Sequence, residues 1–186
     1  MIVSGLDLET TGLEQVKGDR IVEVAIKFYH LETRRLVGQY IQRINPERSI
    51  SAAAEAVHKI TLADLADKPK WPAVAPKVYS LLTKAPLVVA HNGDEFDLPF
   101  LIGELIRVGQ PIPEVATVDT MKEGRWATPV GKVPSLKELC FACDVEYDPE
   151  KAHAADYDVD KMMECFFRGL DFGFFRLPAT IRAEAA

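Results

Sequence analysis

The feature that most constrains this chain is a pair of acids inside an apolar run. The stretch IVSGLDLETTGLE, residues 2–14, carries Asp7 and Glu9 two positions apart. Its apolar start reads as a strand over residues 2–7. Side chains two apart on a strand share a face. Asp7 and Glu9 therefore point one way, while Leu6 and Leu8 point into the opposite layer. Two close carboxylates repel, and burial raises the cost of ionising either. A bound divalent cation reverses that balance. Oxygen-only ligands suit hard ions such as Mg²⁺ or Mn²⁺. For an isolated Asp-x-Glu the simpler explanation is a strand end whose acids face water, so the rest of the chain has to decide.

The following segments alternate in the same manner. RIVEVAIKFYH (20–30) and LVGQYIQRI (36–44) have strand periodicity, with a hairpin turn at Glu32–Arg35, so the first three strands form a meander. SAAAEAVHKI and TLADLADKP read as short helices opened by Ser51 and Thr61. A helix is expected over 72–84 despite Pro76, a buried strand over 86–90, and a helix over 94–109 stopped by Gly109. EVATVDT supplies a fifth strand, residues 135–145 an amphipathic helix, and 153 to 170 the last long helix. The main loop, 126–135, is rich in Pro and Gly. This order predicts one mixed α/β domain over 1–175 with a tail at 176–186. At 48% hydrophobic residues, the chain can build a core without disulfides or a structural metal.

Lys plus Arg is 22 and Asp plus Glu is 28, a formal charge of −6. That argues against passive binding to a nucleic-acid backbone or an anionic membrane. It leaves nucleic acid open as a substrate, because an acidic metal site can carry much of the negative charge. No stretch reaches the roughly 18 apolar residues of a membrane span, and MIVSGLDLE lacks the basic-then-apolar pattern of a signal peptide. Three cysteines, an odd number, suit a reducing compartment, so a cytoplasmic protein is expected.

Further acids follow. VVAHNGDEFDLPFL (88–101) leaves a strand and enters a helix that carries Asp97 after Phe96. HAADYDVD (153–160) places His153 five residues before Asp158. Five helical residues rotate by about 500°, so these two side chains converge only if His153 precedes the helix. Lys151 and Ala152 carry no helical periodicity, which permits that.

DLETTGL, NGDEFD and HAADYD, in this order, resemble the three motifs of the DnaQ-like (DEDDh) 3′→5′ exonucleases. The connecting AVHKIT, VDTM and PSLKELC are similar too, so the resemblance runs over roughly residues 2–170. It implies an RNase H-like α/β fold, a mixed five-stranded sheet flanked by helices on both faces. It implies that Asp7, Glu9, Asp97 and Asp158 hold two divalent metal ions, Mg²⁺ or Mn²⁺, and that His153 is the general base. The histidine separates this subclass from one with a tyrosine four residues before the last Asp, a spacing that Tyr157 does not meet. Thr10, Thr11, Gly12 and Leu13 would line the pocket for the terminal nucleotide, with Asn92 and Phe96 also in contact. Alternatives stand beside these roles: a strand-exit turn eased by Gly12, a strand–helix turn tied down by Asn92, and a core position for Phe96. Two departures matter. NGDEFD is one residue longer than the commonest form, leaving Asp94 and Glu95 as spare acids, and Lys59 stands where glycine is usual.

The implied activity is metal-dependent hydrolysis at 3′ ends to nucleoside 5′-monophosphates. Asp7 would bridge both ions, Glu9 and Asp158 would hold the ion that presents the water, and Asp97 would support the second. A histidine suits proton transfer because this side chain titrates near neutral pH. Single-stranded DNA is the first-choice substrate, because Thr10 stands where the oligoribonuclease branch usually has methionine. The alternatives are trimming of RNA ends and a non-catalytic end-binding or polymerase-accessory module. Neutralising the four site acids moves the charge only from −6 to −2, which points to weak binding and tethering by a polymerase or other protein.

Other residues have quieter readings. Cys140 and Cys143 share the apolar stripe of one helix and read as core, with Cys165 distant. Asp119 reads as a helix cap or a support, and His58 and His91 as structural. Lys122, Arg125, Lys132 and Lys137 bracket the main loop, where they either grip phosphates or form a solvated face.

Overall fold

The structure, a computed structural model, describes residues 1–181; of the expected tail at 176–186, residues 182–186 lie outside the described part. Strands β1 (Ile2–Thr10), β2 (Ile21–His30) and β3 (Leu36–Arg43) form the expected antiparallel meander. Strands β4 (Leu87–Ala90) and β5 (Ala116–Asp119) join it in parallel, giving the order β3-β2-β1-β4-β5. The helices are α1 (Ala52–His58), α2 (Leu62–Leu65), α3 (Trp71–Leu82), α4 (Asp97–Arg107), α5 (Leu136–Ala142) and α6 (Ala155–Asp171).

Alternation along β1 separates two cores. Leu6 and Leu8 pack with Trp71, Val78, Phe100 and Leu105 of α3 and α4 on one face. Val3 packs on the other face, with Val159, Met163 and Phe166 of α6 and Leu139 of α5. Helices therefore cover both faces, the expected mixed five-stranded arrangement. Phe175 and Ile181 are buried in the α6-side core.

Three of the boundaries that differ from the sequence expectation bear on the acids, each for a local reason. β1 continues to Thr10 because β2 keeps pairing with it, setting Asp7 opposite Ala25 and Glu9 opposite Glu23. α4 begins at Asp97 rather than residue 94, because Asn92 has a left-handed backbone (φ 69°) and the following turn is tied elsewhere. α6 begins at Ala155 because His153 is also left-handed (φ 62°), which an α-helix does not accommodate.

Two features seat α6. Gly5 lets it approach β1 closely: a Cβ there would lie 2.7 Å from Val159 Cγ1 and 2.8 Å from Met163 Cγ. Asp160 receives the Lys27 ammonium at 2.7 Å and the Tyr29 hydroxyl at 2.7 Å, tying the helix to β2. Cys140 and Cys143 are fully buried, as a core position requires. Cys165, far away in sequence, is not far in space, since packing of α5 on α6 puts its Sγ 3.5 Å from Cys140 Sγ. No helix among the described residues is long and apolar enough to cross a membrane.

Candidate active site

Three elements deliver the four acids to one place. Asp7 and Glu9 come from the end of β1, Asp97 from the first residue of α4, and Asp158 from the first turn of α6. Asp97 is anchored to β1 directly, as its Oδ1 accepts from the Leu8 amide at 3.0 Å. Asp158 Oδ2 accepts from the His153 amide at 2.9 Å. That bond, with the left-handed turn at His153, sets the histidine just ahead of the helix, as convergence requires.

The acids disturb one another. Burial pushes the Asp7 carboxyl well above the usual carboxylate range, and the charges of Asp97, Glu9 and Asp158 add to the shift. Burial also raises Glu9 to about 8, helped by Asp158, Glu23 and Asp97. Asp97 rises to about 7 through burial, opposed by the hydrogen bond from Leu8. Asp158 is raised by burial and held back by the His153 backbone bond. Glu23, opposite Glu9 on β2, brings a fifth carboxylate to the edge of this group, with Arg43 Nε 2.9 Å away to balance it. Its place follows from the β1–β2 register, which the alternation of residues 20–30 foreshadows without fixing.

The donor set suits a hard divalent cation, since it consists of carboxylate oxygens. Asp158 Oδ1 is buried with no hydrogen-bond partner, a group that needs a positive neighbour or a donor. Among the described residues, however, no three His, Cys, Asp or Glu side chains stand close enough to form a ready-made metal cluster. Carboxylates that raise one another's pKa do not close up unaided.

Two cavities flank the acids. The smaller, about 300 Å³, is lined by Glu9, Thr10, Gly12, Leu13, His58 and Phe96 among others. The larger, about 630 Å³, is lined by Asp7, His153, Asp158, Lys137, Tyr147 and Met162 among others. Thr11 is buried behind the first: its hydroxyl donates to Asp19 Oδ1 at 2.9 Å and accepts from the Arg20 amide at 3.0 Å. Thr10 Oγ1 donates to the Gly12 carbonyl at 2.8 Å, while Leu13 is 81% exposed. A Cβ at Gly12 would fall 2.5 Å from Asp19 Oδ2, so a side chain there would have to displace the carboxylate that the Thr11 hydroxyl and the Glu14 amide hold.

His58 and Asp119 support this geometry from behind. His58 Nδ1 accepts from the Ile60 amide at 3.0 Å. Its Nε2 must then carry the proton, which it donates to the Thr10 carbonyl at 3.2 Å. Burial keeps this imidazole below its ordinary pKa, consistent with the neutral tautomer. Asp119 accepts from four amides, those of Asn92, Asp94, Met121 and Lys122, at 2.9 to 3.1 Å. It thereby holds the turn that presents Asp97, and Asn92 enters the site through its backbone. The extra acid Asp94 is taken up by Lys122 at 3.0 Å.

A family model described as an exonuclease matches residues 4–166. The 3′-5′ exonuclease DinG of Bacillus subtilis (strain 168) is 32% identical over 155 residues, covering 83% of this chain and 16% of DinG. The DNA polymerase III subunit epsilon of Rickettsia conorii (strain ATCC VR-613 / Malish 7) is 32% identical over 166 residues, covering 87% of this chain and 70% of the subunit. Exonuclease X, solved in complex with 5′-overhanging duplex DNA, superimposes with a TM-score of 0.68 at 28% identity and 94% coverage of both chains. The chain thus spans only a small part of DinG, but most of the epsilon subunit and of exonuclease X. On the family match, the identities and the shared fold, this chain belongs to the RNase T/DnaQ-like 3′-5′ exonuclease family.

Proposed function

We propose that the protein is a metal-dependent 3′→5′ exonuclease of the DEDDh type that acts on DNA, preferentially single-stranded. The observation that carries this is the meeting of Asp7, Glu9, Asp97 and Asp158 from three separate elements, with His153 tied to the last of them. Asp7, Glu9, Asp97 and Asp158 would hold two Mg²⁺ or Mn²⁺ ions, which when bound activate water and neutralise charge on a scissile phosphate. His153, exposed at the larger cavity, would take the proton from the attacking water at a ring nitrogen and pass it to solvent. The last nucleoside would sit in the smaller cavity against Thr10, Gly12, Leu13 and Phe96, with Thr11 and Asn92 fixing the turns that shape it.

DNA is favoured because relatives over most of this chain's length are a DNA polymerase subunit and an exonuclease solved with DNA. A formal charge of −6 offers few cations for a long strand, so we expect distributive action or tethering to a polymerase or similar partner. The three free, buried thiols support a cytoplasmic location. The test is shortening of matched 5′-labelled DNA and RNA oligonucleotides, in Mg²⁺, in Mn²⁺ and in EDTA. Stepwise shortening of DNA from the 3′ end, abolished by EDTA, is expected. Faster trimming of the RNA would move the substrate to RNA, and no metal-dependent shortening of either would leave an end-binding module.

A further inference from the structure

Positive charge is scarce around the larger cavity, and most of it is committed. Of the four cations that bracket residues 126–135, Lys122 lies 3.0 Å from Asp94 and Lys132 lies 2.6 Å from Glu138. Arg125 donates to the Gly131 carbonyl at 3.0 Å and does not line the cavity. On the far rim, Lys151 lies 3.4 Å from Asp148. Lys137, in the first turn of α5, is different. It is exposed, and among the described residues its ammonium has no ion pair and no hydrogen bond. Its neighbour Glu138 does not neutralise it, because that carboxylate is held by Lys132 and by the Ser135 amide and hydroxyl.

Lys137 stands on the wall of the cavity that also contains Asp7, His153 and Asp158. The smaller cavity, with Thr10, Gly12, Leu13 and Phe96, lies on the other side of the acids. A strand whose last nucleoside fills the smaller cavity has its scissile phosphate at the acids. On that placement the retained part of the strand leaves across the larger cavity, which opens on the same acids. Resting on the exonuclease reading above, we propose that Lys137 grips a backbone phosphate of this retained strand, upstream of the scissile bond. Such a contact carries no base information, so it acts on affinity for any sequence. It also lies away from the bond being broken, so it is lost equally from ground state and transition state.

The full chain is assayed in Mg²⁺ on two substrates. One is a 5′-labelled single-stranded oligonucleotide; the other is the p-nitrophenyl ester of thymidine 5′-monophosphate, which has no upstream phosphate. Lys137→Ala is expected to raise KM for the oligonucleotide by about three- to five-fold at low salt, the range of a single exposed charge contact, with kcat unchanged. It is expected to flatten the salt dependence by about 0.7 in log–log slope, as loss of one single-strand phosphate contact should. Turnover of the ester should not change, Lys137→Arg should restore KM, and Lys132→Ala should move it less. An active wild type with KM unaltered in Lys137→Ala overturns the inference alone, as does an equal loss on both substrates. A wild type inactive on both substrates overturns the exonuclease reading and this inference with it.

Discussion

Under α6 the sheet buries charge in two places that invite comparison. At the middle of β2, Lys27 is 4% exposed, and its ammonium meets Asp160, which also accepts the Tyr29 hydroxyl. Two residues earlier on the same helix, Asp158 adds its charge to Asp7 and Glu9, as Asp97 does, and among the described residues none of these four has an ion-pair partner. The first group is balanced and holds the helix down. The second is carboxylate against carboxylate, and every member is pushed toward its neutral form. Unpaired buried charge of one sign costs stability. The clamp therefore holds α6 in place over a site that repels it, a cost that the proposed exonuclease chemistry would account for.

The comparison breaks most visibly at Asp7. On the proposed mechanism, Asp7→Asn should lower exonuclease activity by about a thousand-fold, the size expected when a metal-holding carboxylate worth several kcal/mol in the transition state is lost. In EDTA the same variant should melt no lower than wild type, because one repelling charge is gone. Calorimetry of the two proteins side by side decides it, and a lower Tm for Asp7→Asn would mean that the acids stabilise the fold after all. His153→Ala should slow turnover by about a hundred-fold, the lower end for a general base, and leave Mg²⁺ affinity nearly unchanged by titration calorimetry. Equal losses in turnover and in Mg²⁺ binding would make His153 part of the ion site instead.

On the balanced side the expectation has the opposite character. Asp160→Ala leaves the Lys27 ammonium buried without its carboxylate. Stripping one partner from a buried pair costs about 3–5 kcal/mol; Asp160 is 43% exposed on its side chain, so water softens this to about 2 kcal/mol. Urea unfolding should show that loss, and saturating Mg²⁺ should recover part of it. A variant as stable as wild type would remove the clamp from the account of how α6 is held.

The unbalanced group was far easier to see in the sequence than the balanced one. Asp7 and Glu9 declare themselves by spacing inside an apolar run, and Asp97, Asp158 and His153 each lie in a short local motif. Alternation likewise exposes the meander, because a half-buried strand writes its two faces into neighbouring residues. The clamp has no such local signature: Tyr29 and Asp160 are 131 residues apart and meet only once α6 crosses β2. Gly5 looks like any strand glycine until Val159 and Met163 are placed above it. Glu23 needs the β1–β2 register, and the contact of Cys165 with Cys140 needs the packing of α5 on α6. Lys59, where the related motif usually has glycine, takes the left-handed backbone (φ 61°) that a glycine would supply, so the turn survives the substitution.

The smallest effect expected is also the most direct reading of the repulsion, and its sign depends on choosing the right pH window. Glu9 is raised to about 8, Asp97 to about 7, and Asp7 and Asp158 are raised as well. An acid raised on folding holds its proton in the native chain and loses it in the unfolded one, between its ordinary value and its folded value. The native state then binds more protons, so stability falls as pH rises through that interval. His58 and His91 act in the opposite direction: burial holds both below the ordinary 6.5, His91 at about 4, so unfolding takes up protons there and stability rises with pH. That opposing contribution is halved at pH 6.5 and fades within about a pH unit above it. Carboxylates held low by surface partners, such as Glu138 at about 2, finish titrating lower still. From pH 6.5 to about 8 the raised acids increasingly set the slope. In EDTA, Tm should fall across this window by a few degrees, on the order of 1–2 kcal/mol for a domain of this size, and less steeply in Asp7→Asn. Mg²⁺ should raise Tm more at pH 8 than at pH 6.5, because it binds the ionised form and must displace fewer protons there. A Tm in EDTA that is flat or rising from pH 6.5 to 8 would show that the four carboxylates ionise without strain, and the contrast with the Lys27 clamp would lose its physical basis.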